Sequence, residues 1–259
     1  MVKKLNRENL LNHIDDNEKL LEMKKIIDKI EIVLNDYVEL STDFLDPYEV
    51  YLAKSILNRF EDISYSVDGG YEESERKIIY IYQSYLYENT INDLVAFQFN
   101  LENKISHKDI LGSLLGLGIE RRKIGDIIIS NNVYSFFVKR ELSDFIEFNF
   151  KKVNKYNVKL ERVNSVDIPE KDYEINKLII SSLRLDTFLS NLLRMSRANA
   201  QELIKQEKVK VNFKSENKSS YILEEGDLLS IRKFGRFIFS EIEGTTKKDN
   251  YIVKIKIPK

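Results

Sequence analysis

The stretch from Arg184 to Asn212 constrains this chain more than any other, because it spells two short helices and a strand in a fixed order. Leu185, Leu189 and Leu192 recur at helical spacing with Phe188 beside them, so one stripe of the first helix is apolar. Ser196 stands where an N-cap belongs, and Ala200, Leu203 and Ile204 form the buried stripe of the helix it opens. Arg197, Gln201 and Lys205 follow one another at i,i+4 steps on the opposite side, with Arg194 just before the cap. Strand alternation then sends Val209 and Val211 one way and Lys208, Lys210 and Asn212 the other. The expectation is a rigid platform that gathers cations onto one small face and suits a phosphate backbone. Arg184, Arg194, Arg197, Lys208, Lys210 and Lys214 are the candidate phosphate contacts, and Asn199 and Gln201 the candidate hydrogen-bond donors to sugar or base edges. Ser196, Asn212 and Arg236 complete the candidate set in this part of the chain. A solvated surface charge is the plainer reading for Lys205, Lys214 and Lys218. Arg197 differs because it follows the cap, at the end of the helix where an anion is favoured. Its replacement by Glu is therefore expected to weaken RNA binding and leave unfolding nearly unchanged.

In order and spacing these residues resemble the RNA-binding domain named after small-subunit ribosomal protein four. The motifs that carry the resemblance are Arg184 to Leu189, Ser196 to Ile204, Val209 to Asn212 and Gly226 to Leu229, over about the last third of the chain. That family usually places Gly before the strand and Gly after the Asn, where this chain has Glu207 and Phe213, so those two turns are built differently.

Charge is distributed to match. The net charge of -1 suggests no partner, but residues 1–75 hold 9 Lys+Arg against 18 Asp+Glu, and residues 183–259 hold 16 against 10. The basic end is the one with the RNA-like motifs. Cysteine is absent and His13 and His107 are the only histidines, which leaves no disulfide framework, no thiolate nucleophile and no expected metal site or cofactor. The start lacks the apolar core of a secretory signal, and no apolar run approaches the roughly 20 residues of a membrane helix. A cytoplasmic protein without membrane insertion or small-molecule substrate is expected.

Before the basic end, two regions differ in periodicity. Leu20, Met23, Ile27, Ile30 and Leu34 repeat at steps of three and four, and Asp46, Pro47 and Glu49 announce a capped helix running to about Phe60 that buries Val50, Leu52, Ile56 and Leu57. From Ile63 onward strands are expected at 63–67, 77–82 and 94–101, and a helix at 107–117. A hairpin follows through Ser130-Asn131-Asn132, then a helix at 142–153 and a strand at 158–163. Strand, strand, helix, hairpin, helix, strand fits a ferredoxin-like sandwich, a fold that commonly offers one sheet face to RNA. Gly112 and Gly116 lie on one helix face and are expected to allow close packing, Gly118 to end that helix, and Arg121, Arg122 and Lys123 to form an exposed basic corner that is a further RNA-contact candidate. The glycine-rich block matches neither a phosphate-binding loop nor a dinucleotide fingerprint. The fold class is thus α+β: a helical domain over 1–60, a central ferredoxin-like (RRM-like) domain over 61–180, and a small α+β RNA-binding domain over 181–259.

Phe44 to Glu49, Asp68 to Tyr71, Glu75 to Lys77 and the block from His107 to Ile127, joined to the basic C-terminal domain, also resemble the YlmH family, encoded among bacterial cell-division genes. The resemblance implies that the central region binds RNA too. It further implies association with the ribosome, expected at the large subunit, on rRNA with tRNA as a second candidate, and a part in the rescue or quality control of stalled translation. Two alternatives stand beside this non-catalytic reading. Pseudouridine synthases often carry the same small domain and use an Asp within Arg-Leu-Asp, which Arg184-Leu185-Asp186 matches superficially, although Asp186 sits in the binding domain's own first helix. The acidic N-terminal helices, at a net of -9, could instead dock a protein partner in cell division.

Overall fold

The computed structural model describes residues 5–258, in two units, Met1–Pro169 and Glu170–Lys259. In the first, helix α1 (Arg7–Leu11) leads to α2 (Asn17–Asp36), which Asp16 caps through the amides of Glu18 and Lys19. Met23, Ile27 and Ile30 of the apolar stripe are buried with Ile26 and Val33, so the stripe belongs to the protein's own core. After the short strand β1 (Leu40–Ser41), helix α3 (Pro47–Leu57) starts with Asp46 and Glu49 in a reciprocal capping box. Buried Lys19 reaches both of those carboxylates, at 2.7 and 2.8 Å, and so ties α2 to α3. Strands β2 (Ile63–Asp68) and β3 (Ile78–Gln83) complete a sheet of order β1-β3-β2. Strand β3 is buried along its whole length, which is why residues 78–82 read as an unbroken apolar run, and buried Gln83 at its end donates to the Val33 carbonyl. Ile79 and Ile81 pack with the helices, and Ile78, Tyr80 and Tyr82 pack on the other side.

The central module runs β4 (Leu94–Asn100), α4 (His107–Gly116), β5 (Ile124–Ser130), β6 (Val133–Lys139), α5 (Ser143–Asn149), the hairpin β7 (Lys152–Val153) and β8 (Tyr156–Asn157), and β9 (Glu161–Val163). Its sheet has the order β5-β6-β4-β9 with every neighbouring pair antiparallel, the βαββαβ arrangement of a ferredoxin-like sandwich. Phe97 and Phe136 on the sheet pack against Ile110 and Leu114 of α4 and Ile146 of α5.

Three expectations change here. First, the sandwich begins at β4 rather than at residue 61. Strands β2 and β3 pair with β1 and share a core with the N-terminal helices, so residues 1–60 are not a separable helical domain. Second, the sheet face opposite the helices is covered rather than open. Ala96 and Phe137 meet Phe44, Ile78, Tyr80 and Tyr82 in one buried cluster. Third, α5 stops at Asn149. Phe150 leaves helical geometry (φ -81, ψ 83) to bury its ring, and Asn154 at φ 53 turns β7 into β8.

The residues most distinctive in the sequence build the joint between those two sheets. Asp126 accepts hydrogen bonds from the Tyr71 hydroxyl (2.8 Å) and from the amides of Glu75 and Arg76 (2.6 and 3.1 Å). Arg76 in turn donates to the carbonyls of Phe44 (2.7 Å) and Ile124 (3.1 Å). Gly125 lies in a bulge of β5 where a Cβ would come within 2.6 Å of the Phe44 ring, so only glycine permits the approach. At the far edge, buried Lys139 donates to Ser41 Oγ (2.6 Å) and the Thr42 carbonyl (2.9 Å) and pairs with Asp93.

In the second unit, β10 (Tyr173–Ile180) precedes helices α6 (Leu185–Leu192) and α7 (Arg197–Lys205) and strands β11 (Val209–Val211), β12 (Lys214–Ser215), β13 (Leu228–Ile231), β14 (Gly235–Thr245) and β15 (Tyr251–Pro258). They form one sheet of order β10-β15-β14-β13-β11-β12. Leu185, Phe188, Leu189, Ala200 and Ile204 cover the face presented by Val209, Leu229, Ile231, Phe239 and Val253. The sequence periodicity places residues 173–180 in the central region. Their full-length antiparallel pairing with β15 places them in this sheet, and the unit therefore starts at Glu170 rather than 181. Among the described residues, no helix is long and apolar enough to cross a membrane.

Candidate nucleic-acid interface

The basic helix face is organised around one buried acid. Asp186, with no exposed surface, is contacted edge-on by two guanidiniums. Arg184 donates through Nε (3.2 Å) and Nη2 (3.1 Å), and Arg197 through Nε (3.0 Å) and Nη2 (3.2 Å). Gln201 adds Nε2 at 2.9 Å and the Thr187 hydroxyl 3.3 Å. Burial pushes the Asp186 carboxyl up, but the hydrogen bonds from Arg184, Arg197 and Gln201 outweigh it and hold the group below the usual carboxylate range. The result is a planar, pre-set pair of cations whose side chains remain 35% (Arg184) and 54% (Arg197) exposed. Ser196 caps α7 by accepting from the Asn199 amide at 3.2 Å, which leaves the Asn199 side chain on the exposed first turn. Arg194 is exposed at φ 51, the left-handed residue that closes α6, and has no carboxylate partner among the described residues.

The other motif pair is also structural. Asn212 (φ 49) and Phe213 (φ 67) make a two-residue turn between β11 and β12 with both residues in the left-handed region. The Asn212 amide group donates to buried Asp227 at 2.7 Å and accepts from the Leu228 amide at 2.9 Å, while Asp227 also accepts from the Glu224 amide at 2.8 Å. Asn212 is exposed, and its side-chain amide also ties the turn to the start of β13. Where the sequence lacks the usual glycines, Glu207 itself adopts φ 53, and Phe213 takes the Arg236 guanidinium over its ring at 5.5 Å.

The candidate cations do not share a single face. Lys210 stands opposite Ser230, which stands opposite Arg236, so these lie on the outer side of the sheet, away from the helices. Lys214 pairs with Val211 and so lies on the helix side. Lys208 is half-buried and donates to Gln206. The basic corner of the first unit is not an open patch either. Arg121, in a 3-10 turn with Arg122 and Lys123, donates to the Ile124 carbonyl at 2.5 Å. Arg122 pairs with Glu120 and Asp43 (2.6 and 3.2 Å), and Lys123 with Glu141 and Asp43 (2.5 and 2.7 Å). The charges of Arg122 and Lys123 are matched by Glu120 close by and by Asp43 and Glu141, which the linear sequence keeps distant.

Comparison with known proteins finds three matching stretches. Residues 18–86 match the family described as "YlmH, N-terminal", residues 94–167 that described as "Putative RNA-binding domain in YlmH", and residues 183–229 the S4 domain. The chain is 38% identical over 228 residues to the ribosome-associated protein quality control protein P2 of Bacillus subtilis (strain 168), covering 86% of this chain and 88% of that protein. The chain belongs to the YlmH family. A solved structure of the same family, the cell division protein ylmH from Streptococcus pneumoniae, shares the fold at a TM-score of 0.51 with 22% identity, over 57% of this chain and 92% of that one. The joint residues around Asp126 and the cluster around Asp186 thus lie in a YlmH-family protein with an S4 domain at its C-terminal end.

Proposed function

We propose that this YlmH-family chain is a non-catalytic RNA-binding protein that docks on ribosomal RNA through the helix face of its C-terminal unit and acts in the quality control of stalled translation. The observation that carries the reading is the fixing of Arg184, Arg197 and Gln201 by one buried carboxylate, near Arg194, which has no carboxylate partner among the described residues. Such guanidiniums meet a phosphate without first losing their own freedom, which favours binding by pre-organisation. The name of the Bacillus relative supports the ribosome as the partner. Large-subunit rRNA is the proposed contact, with tRNA as a second. Against the pseudouridine-synthase alternative, Asp186 is wholly enclosed and both of its oxygens already accept hydrogen bonds, so its role is to position cations.

Ultraviolet crosslinking of the full chain, followed by sequencing of the attached RNA, tests this. Reads concentrated in large-subunit rRNA are expected. Reads scattered in proportion to RNA abundance, unchanged by Arg194→Glu, would refute it.

A further inference from the structure

The sheet face through which a ferredoxin-like module would meet RNA is buried here against Phe44, Ile78 and Tyr80, so an RNA contact by this module must lie elsewhere. One exposed corner has the required chemistry. Phe148 is 77% and Phe145 44% exposed on α5, whose buried residue Ile146 points the other way. From Phe150 to Leu160 the chain holds Lys151, Lys152, Lys155 and Lys159 and no acid. All four lysines are exposed, and among the described residues none has a carboxylate partner. Lys151 lies 5.9 Å over the Phe148 ring and Lys155 5.4 Å over that of Tyr156. The neighbouring acids Asp144 and Glu147 are taken up by Arg162. The corner is anchored by Phe150, Val153 and Val158, which are buried in the core of the central module.

We propose that this α5–β7–β8 corner is a second RNA contact, in which an unpaired base stacks on Phe148 and the lysines take the flanking phosphates. It rests on the reading of the chain as an RNA-binding protein. Aromatic rings interleaved with unpaired cations select single strands, since only an unstacked base offers a face to the ring.

The test uses the full chain and a fluorescein-labelled single-stranded oligoribonucleotide of mixed sequence, alone and annealed into a duplex, read by anisotropy. Phe148→Ala should weaken single-strand binding about tenfold and leave duplex binding within about twofold. Lys152→Glu with Lys155→Glu should weaken binding to both and flatten its salt dependence by about 0.7 per lost contact on the single strand. Unaltered melting by circular dichroism is expected for both variants because the residues are exposed. If Arg194→Glu weakens binding while Phe148→Ala and the lysine pair do not, this inference falls and the proposed function stands. If the wild type binds neither probe, the proposed function itself falls. Unchanged RNA affinity with lost ribosome co-sedimentation would assign the corner to a protein contact and overturn the inference.

Discussion

At the scale of single residues, the chemistry turns on charges that are held rather than merely present. Asp186→Asn leaves two partly exposed guanidiniums facing a neutral amide, and losing these charge-assisted hydrogen bonds should lower the unfolding free energy by about 1–2 kcal/mol in chemical denaturation. The pH dependence has a defined sign. A carboxyl held below its unfolded value of about 3.9 contributes in full above that value and loses its contribution as pH falls through the lower, folded one. The wild type should therefore lose stability in strong acid below about pH 4, and Asp186→Asn should show a flatter profile there; equal slopes would contradict the assignment. The sequence put Arg197 on the basic face but did not show its partner, because Asp186 lies 11 residues away in another helix. For that reason Arg197→Glu, which the sequence offers as a neutral probe of binding, would set a second acid against buried Asp186 and destabilise the site. Arg194 replaces it as the clean probe. Glu207, left-handed at φ 53, gives a second prediction: Glu207→Gly should stabilise the C-terminal unit by about 1 kcal/mol, as a raised denaturation midpoint.

At the scale of elements, what was legible followed periodicity and caps, and what was missed followed long-range pairing. The capping box at Asp46 and Glu49, the turn at Asn131 (φ 55) and the left-handed Gly118 (φ 83) were all readable locally. Strand β10 was not, because most of its side chains are exposed and pairing with β15, far along the chain, recruits it. The spacing of Gly112 and Gly116 suggests a packing stripe, but a Cβ on either would meet nothing within 4 Å. Gly112→Ala should accordingly stabilise α4 by about 0.5–1 kcal/mol through helix propensity alone, raising the melting temperature of the full chain. Destabilisation would show that the face is covered in solution.

At the scale of the whole molecule, the sequence showed which segments were unusual but not that they meet. Phe44, Tyr71, Arg76, Gly125 and Asp126 come from four separate motifs and form one joint inside the first unit. Arg76→Ala removes hydrogen bonds to two carbonyls across that joint and should cost about 2 kcal/mol of unfolding free energy. The joint consumes the sheet face that fold analogy would have offered to RNA, and the proposed function accordingly places the main burden of binding on the basic C-terminal unit. Co-sedimentation of the full chain with purified ribosomes across a salt series tests that burden most directly, comparing wild type with Arg194→Glu and Lys214→Glu combined. The account predicts salt-sensitive binding by the wild type and at least about tenfold weaker binding by the variant at unchanged melting temperature. Equal sedimentation of the two at every salt concentration would contradict it.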